Sequence, residues 1–266
     1  MTEEPKVEIH KILLADEKLE VIGEGDDPVI SRDNQLVYEK NGQVWSADLD
    51  ENAPPEQLFE AQGRMHSLEF SPDGKKLVFV SSRGDYSIIG VYEESKPIKW
   101  ISPGFYSDQS PRWSPDGKKI VFVRTPGGEG ASLPILEQRH SPWEIRVADV
   151  TTGESYRRWK APESLEGSVP TVDGRFNLHW AADNQLVYLS YEDGWPHLYA
   201  MDAEKGESRL LSPGDFHVEH VEISRDGKQL IFSANAGPEP EDLDRRHIGQ
   251  VKVEGANLEW RTSGQG

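Results

Sequence analysis

One phrase returns five times along this chain: an aspartate-led turn that runs straight into a short hydrophobic strand. The first three copies are Ser31-Arg32-Asp33-Asn34-Gln35-Leu36-Val37-Tyr38, Ser71-Pro72-Asp73-Gly74-Lys75-Lys76-Leu77-Val78-Phe79 and Ser114-Pro115-Asp116-Gly117-Lys118-Lys119-Ile120-Val121-Phe122. Ala181-Ala182-Asp183-Asn184-Gln185-Leu186-Val187-Tyr188 and Ser224-Arg225-Asp226-Gly227-Lys228-Gln229-Leu230-Ile231-Phe232 complete the set. Their aspartates lie 40, 43, 67 and 43 residues apart. A period in the low forties, with about four strands per period, marks a blade of a β-propeller. The expected fold is therefore all-β: a propeller with five recognisable four-stranded blades and a partial one at the N-terminus.

The chemistry of one repeat explains the pattern. Proline presets the backbone of the turn, aspartate bonds back to it through its side chain, and glycine accepts a positive φ. The run after the turn, such as Leu77-Val78-Phe79-Val80 or Ile120-Val121-Phe122-Val123, is unbroken and rich in β-branched and aromatic residues. Such a run suits a strand buried on both faces, between neighbouring blades. A further strand precedes each turn, as in Ser67-Leu68-Glu69-Phe70 and His220-Val221-Glu222-Ile223. More polar strands follow, as in Gln43 to Asp48 and Glu56 to Phe59. The expected division is 1–27 for the strands of a partial blade and 28–266 for the propeller. Its blades span about 28–65, 66–108, 109–171, 172–219 and 220–266.

Composition narrows the function. Lys and Arg number 29 against 47 Asp and Glu, a formal charge of −18. So acidic a chain repels phosphate backbones, and nucleic acid is not an expected partner. No run approaches the roughly 18 apolar residues of a membrane span. Met1-Thr2-Glu3-Glu4-Pro5-Lys6 has neither a basic nor an apolar region of a signal peptide. The compartment stays open, a periplasmic parent protein included. The absence of cysteine removes disulfides, thiol catalysis and thiolate metal sites. The 24 glycines and 18 prolines are scattered at turns, as in one body rather than two joined by a linker.

The 67-residue interval carries roughly two dozen extra residues beyond a normal blade. They are expected between Arg124 and Trp143, with the remainder near Glu163 to Pro170. Long loops in tight folds often carry function. The apolar tip Leu133-Pro134-Ile135-Leu136 is expected to dock, on the protein itself or on a substrate.

Ser-Pro-Asp-Gly-Lys-Lys, then Arg124-Thr125-Pro126-Gly127-Gly128-Glu129-Gly130 with Pro134-Ile135-Leu136-Glu137, resemble the propeller domain of the prolyl oligopeptidase family of serine peptidases. The bacterial dipeptidyl peptidase IV-like and acylaminoacyl peptidase-like branch is the nearest. Asp193-Gly194-Trp195-Pro196-His197-Leu198-Tyr199 and Asp242 to Ile248 extend the resemblance, which runs from Pro28 to the last residue. The repeated turn alone is shared with WD40- and TolB-like propellers. The resemblance implies a propeller seated on an α/β-hydrolase domain that follows it, narrowing access to a catalytic triad and holding peptide substrate. This chain has no Gly-x-Ser-x-Gly elbow and no βαβ alternation. It is thus expected to be the non-catalytic, substrate-gating portion, without peptidase activity or cofactor of its own. The expected partners are a C-terminal hydrolase domain, a peptide and, through open blade edges, further copies of the chain. A free-standing TolB-like scaffold for protein interaction is the alternative.

Candidate substrate contacts are Glu137 and Arg139 in the long loop, Glu192, Asp193 and Trp195 in the turn of the fourth blade, and Arg246. Acids beside an aromatic can form a binding mouth, although Asp-Gly is also a standard hairpin turn and Trp195 can pack between blades. Asp244-Arg245-Arg246-His247 suggests a buried aspartate–arginine pair, with Arg246 as an anion contact in the second reading. Glu93-Glu94 is similar to the glutamate pair with which dipeptidyl peptidases grip an ammonium, but it falls in a solvated turn. His217 and His220 lie on opposite faces of an extended segment and do not form a zinc pair.

Overall fold

The structure is a computed structural model and describes residues 6–15, 18–50, 53–128, 139–239, 242, 245–255 and 257–264. Glu137, Asp244 and the tip Leu133 to Leu136 lie outside the described residues. Among those described there is no α-helix, and no helix is long and apolar enough to cross a membrane.

A hairpin comes first, β1 (Glu8–Leu13) with β2 (Lys18–Glu24). Five four-stranded antiparallel units follow. The first is β3 (Asp26–Ile30), β4 (Gln35–Lys40), β5 (Gln43–Asp48) and β6 (Glu56–Phe59). The second is β7 (Arg64–Phe70), β8 (Lys76–Ser82), β9 (Ser87–Glu93) and β10 (Lys99–Trp100). The third comprises β11 (Tyr106–Trp113), β12 (Lys119–Pro126), β13 (Glu144–Asp149) and β14 (Ser155–Lys160). β15 (His179–Trp180), β16 (Gln185–Ser190), β17 (His197–Asp202) and β18 (Ser208–Leu210) make the fourth. β19 (Val218–Ile223), β20 (Gln229–Ala234), β21 (His247–Lys252) and β22 (Leu258–Trp260) make the fifth. The second and third units are not separate sheets. A parallel bridge between Ser87 and Ser107 joins them, with Ser87 Oγ donating to Asp108 O at 2.7 Å.

The repeated phrase builds each turn in the same way. Ser71 Oγ donates to Asp73 Oδ1 at 2.6 Å, Lys75 N and Lys76 N donate to Asp73 Oδ1 and Ser71 Oγ, and Gly74 takes φ +73°. The Ser114/Asp116 and Ser224/Asp226 copies repeat these bonds. The serine hydroxyl holds each of these three carboxyls below the usual carboxylate range. In the fourth copy alanine replaces the serine, and Asp183 and Asn184 both take positive φ.

The second strand of each of the first four units feeds both of its neighbours, whereas that of the fifth packs back only. On β8, Leu77 and Phe79 pack back with Val37, Val44 and Met65, while Val78 and Val80 pack forward with Ile120 and Phe122. Val121 and Val123 of β12 face Leu186 and Tyr188, and Val187 and Leu189 of β16 face Leu230 and Phe232. The core is thus a series of inter-sheet layers. The extra residues of the third unit fall in two connections, from Pro126 to Glu144 and from Lys160 to His179.

Candidate functional site

The first strands of four of the five units carry one recurring distortion. Register shifts interrupt β3 at Asp26/Val29, β7 at His66/Glu69, β11 at Gln109/Arg112 and β19 at Glu219/Glu222. The extra residue is left-handed each time: Asp27 at φ +53°, Ser67 at +53°, Ser110 at +53° and His220 at +49°. The fourth unit enters β15 through Asn177, at φ +40°. Bulges of this kind twist a strand and re-aim the side chains that follow. Asp and Asn tolerate the left-handed region best, and both are used here to clasp the next first strand. Asp27 Oδ2 accepts Leu68 N at 3.1 Å, and Asn177 Oδ1 accepts Val221 N at 3.2 Å.

Two residues beyond the left-handed one, the five units place Val29, Glu69, Arg112, His179 and Glu222 at equivalent positions. The last four line one cavity of about 560 Å³, together with Asn177, Trp180 and His220. This cavity lies among first strands of four consecutive units, where a propeller has its channel.

The wall is charged and cross-linked. Arg112 Nη1 lies 3.5 Å from Glu69 Oε2 and donates to Pro111 O at 2.9 Å. Trp113 Nε1 donates to Glu69 O at 3.1 Å, binding β11 to β7. Burial pushes the Glu69 carboxyl above its usual value, and the Arg112 charge opposes the rise. Burial, helped by Arg112, holds the His179 imidazole down at about 4. His179 is therefore neutral near neutral pH, and its Nε2 sits 3.2 Å from Val221 O, as a donor to that carbonyl. Glu222 is exposed to the cavity. Two carboxylates, a guanidinium and a neutral imidazole can thus meet an ammonium, a carboxylate and peptide amides over a short distance.

The residues singled out in the sequence lie elsewhere. Asp193 Oδ2 bonds His197 Nδ1 at 2.7 Å, with His197 fully buried, and Asp193 Oδ1 accepts Trp195 N at 3.3 Å. Glu192 accepts Tyr188 OH at 3.4 Å, and its carboxyl is raised, chiefly by burial. Trp195 is half-buried, its ring 5.2 Å from that of His217. These bonds hold the β16–β17 turn. Arg246 pairs with Glu219 at 3.1 Å. Among the described residues of the fifth unit, Asp242 is the buried aspartate; it bonds Arg245 Nη1 at 3.0 Å and receives Glu239 N. Arg139 and His140 line a separate cavity of about 710 Å³ with Tyr86, Gln109 and Arg175. Glu93 pairs with Lys96 at 2.6 Å. Among the described residues, no group of three or more His, Asp or Glu side chains is arranged to hold a metal ion.

Sequence reasoning passed over Glu69, Arg112, His179 and Glu222. The signal was present: each lies two residues before the serine or alanine that opens its turn phrase.

No protein-family model matches the chain, and no curated protein is similar to it in sequence. Solved structures are similar in fold. A TolB-like protein from Agrobacterium tumefaciens is 16% identical, with a TM-score of 0.58 over 96% of this chain and 88% of that one. An oligogalacturonate lyase in complex with manganese is 14% identical, with a TM-score of 0.68 over 98% and 73%. Dipeptidyl peptidase 4 from Porphyromonas gingivalis is 14% identical, with a TM-score of 0.54 over 98% of this chain and 51% of its own. The chain thus spans about half the length of that peptidase. At such identities the likeness shows the fold: an all-β, TolB-like β-propeller.

Proposed function

We propose that this chain is a non-catalytic propeller that receives and orients a peptide in its channel, gating access to the catalytic centre of a serine peptidase. The observation that carries the reading is the wall of Glu69, Arg112, His179 and Glu222 around a cavity of about 560 Å³. Glu222 is the exposed carboxylate and would take the ammonium of a peptide. Arg112, already held by Glu69 and Pro111 O, would take a carboxylate or carbonyl oxygen. Bond cleavage would be supplied by a hydrolase domain, and the propeller would contribute selectivity. The resemblance of the long-loop and Asp193 to Tyr199 phrases to peptidase propellers supports that setting, as does the fold shared with dipeptidyl peptidase 4.

A second reading has an observation of its own: the fit to the TolB-like protein extends over 88% of that chain. In it, the same channel takes an extended segment of a partner protein.

Titration calorimetry with tripeptides tests the proposal. Saturable binding is expected, weakened about tenfold by Glu222→Gln, roughly the loss of one charge-assisted bond. N-terminal acetylation of the peptide should cost a similar amount. Binding that ignores both changes overturns the channel assignment. Affinity for a long extended polypeptide without affinity for tripeptides favours the scaffold.

A further inference from the structure

A group of four cations in this acidic molecule lies away from the channel, on the third unit. Strand pairing sets Arg124 opposite Glu144, and Glu144 opposite Lys160. The neighbouring level sets Arg146 opposite Arg157. Ile145 and Val147 face the fourth unit, so Glu144 and Arg146 face the second. Four cations therefore share one sheet face with two carboxylates, Asp108 opposite Arg124 and Glu144 between Arg124 and Lys160.

Two of these cations are fixed. Arg124, 7% exposed, makes a bidentate pair with Asp108 at 2.7 and 2.8 Å, donates to Ser102 O and lies 4.4 Å over the Tyr106 ring. Arg146 donates to Glu144 at 2.7 Å, to Ser155 Oγ at 2.8 Å and to Ser155 O at 2.9 Å. The other two are open to solvent. The Arg157 side chain is 57% exposed and meets Glu144 only at 3.5 Å. Lys160 is 41% exposed and pairs with the exposed Glu163.

The Arg157–Lys160 end of this face is open. β10, the fourth strand of the second unit, has only two residues. Its neighbourhood meets the third sheet at the far end, where Ser102 N and Lys99 Nζ bond to the Thr151–Gly153 turn. At the Glu144–Lys160 end a cavity of about 300 Å³ remains, lined by Tyr106, Arg124, Glu144, Arg146, Arg157 and Lys160 among others. No other fourth strand resembles β14. β6 has no cation, β10 and β18 have one each and β22 has none, whereas β14 has three within Ser155–Lys160.

We infer that this cavity is an anion-binding site for a compact carboxylate or phosphate group carried on a flexible ligand. One carboxylate cannot saturate two guanidiniums that both reach it, and the nearby Arg157 and Lys160 can turn onto an incoming anion. Arg124 is neutralised by Asp108, while Arg146 is held in place by Ser155 beside the two mobile cations at no ordering cost to the ligand. Glu144 acts as the internal competitor that the ligand displaces from Arg157.

The test uses the whole chain at low ionic strength, where exposed charges are least screened. Inorganic phosphate and succinate are titrated in separate experiments, followed by calorimetry and by the arginine side-chain N–H resonances. The expected result is one saturable site, weakened about tenfold in the Arg157→Gln/Lys160→Gln double variant, as for the loss of roughly 1.4 kcal/mol. Glu144→Gln should bind more tightly, a change in the opposite direction that a structural defect would not produce. Arg32→Gln, a remote exposed cation, should bind as the parent does. Tighter phosphate binding identifies a phosphoryl ligand, and tighter succinate binding a carboxylate one. If neither anion saturates, or if the double variant and Glu144→Gln both bind as the parent does, the site does not exist and the cations serve only to keep the β14 edge from pairing.

Discussion

The fourth and fifth sheets use nearly the same second strand and bury it differently. In Leu186-Val187-Tyr188-Leu189 every side chain is buried. In Leu230-Ile231-Phe232-Ser233 only Leu230 and Phe232 are, and Ile231 is 45% exposed. The backward halves match, since Leu186 and Tyr188 meet the third sheet just as Leu230 and Phe232 meet the fourth. The forward halves differ. Val187 and Leu189 join the layer shared with the fifth sheet, whereas Ile231 lies with Ile248, itself 37% exposed, outside every buried cluster of the described residues. An unbroken apolar run therefore specifies a strand, while its burial depends on a neighbour that the run does not encode.

The largest test of this contrast is side-chain truncation. Leu189→Ala should cost about 2–5 kcal/mol in urea unfolding, as for a core leucine, and Ile231→Ala less than about 1 kcal/mol. Equal losses would mean that the forward face of the fifth sheet is covered in solution. Next comes the clasp between the two sheets. Asn177→Ala leaves the buried Val221 N–H without its acceptor and should cost about 1–3 kcal/mol. Hydrogen exchange should then quicken at Val221 before it quickens within β16.

Turn glycines sharpen the comparison further. Gly74 and Gly227 both take positive φ, so alanine should cost about 1 kcal/mol at either. A Cβ on Gly227 would also lie 2.7 Å from Ala182 N of the fourth unit, while one on Gly74 would meet nothing within 4 Å. Gly227→Ala should therefore lower the melting temperature more, because this turn rests on its neighbour. The last test is of pH. His179 has a folded value near 4 against 6.5 in the unfolded chain, so the unfolded state binds more protons between these limits. Its contribution to stability is complete above pH 6.5 and is lost as pH falls toward 4. Glu69 runs the other way: its raised carboxyl favours the folded state at low pH, an advantage lost as pH rises through its folded value. His179→Phe should flatten the acid limb of the stability profile. An unchanged limb would place the titration elsewhere.

Much of the fold was legible because it is local. Pro72-Asp73-Gly74 and its copies close their own turns with bonds spanning two to five residues, and each following run is apolar enough to be a strand in any register. The candidate site was far less legible. Asp193 and Trp195 drew notice as acids beside an aromatic, yet Asp193 is occupied by His197 and by Trp195 N. Arg246 drew notice as a cation, and Glu219 holds it. Glu69 and Arg112 also stand beside aromatics, Phe70 and Trp113, but what marks them is their place two residues before the turn serine, a pattern that shows only when repeats are compared.

By itself the sequence determined the repeat, the turns, the strands and the all-β class, since each rests on interactions within a few residues. It also determined the acidic balance that makes the basic patch on β14 stand out. Only the tertiary structure decided which side chains share a space. Glu69, Arg112, His179 and Glu222 come from four separate repeats, and they line one cavity because each follows a left-handed residue at the same point of its repeat. The physical reason is that strand and turn formation obey the local chain, whereas a site assembled across repeats depends on how whole sheets stack.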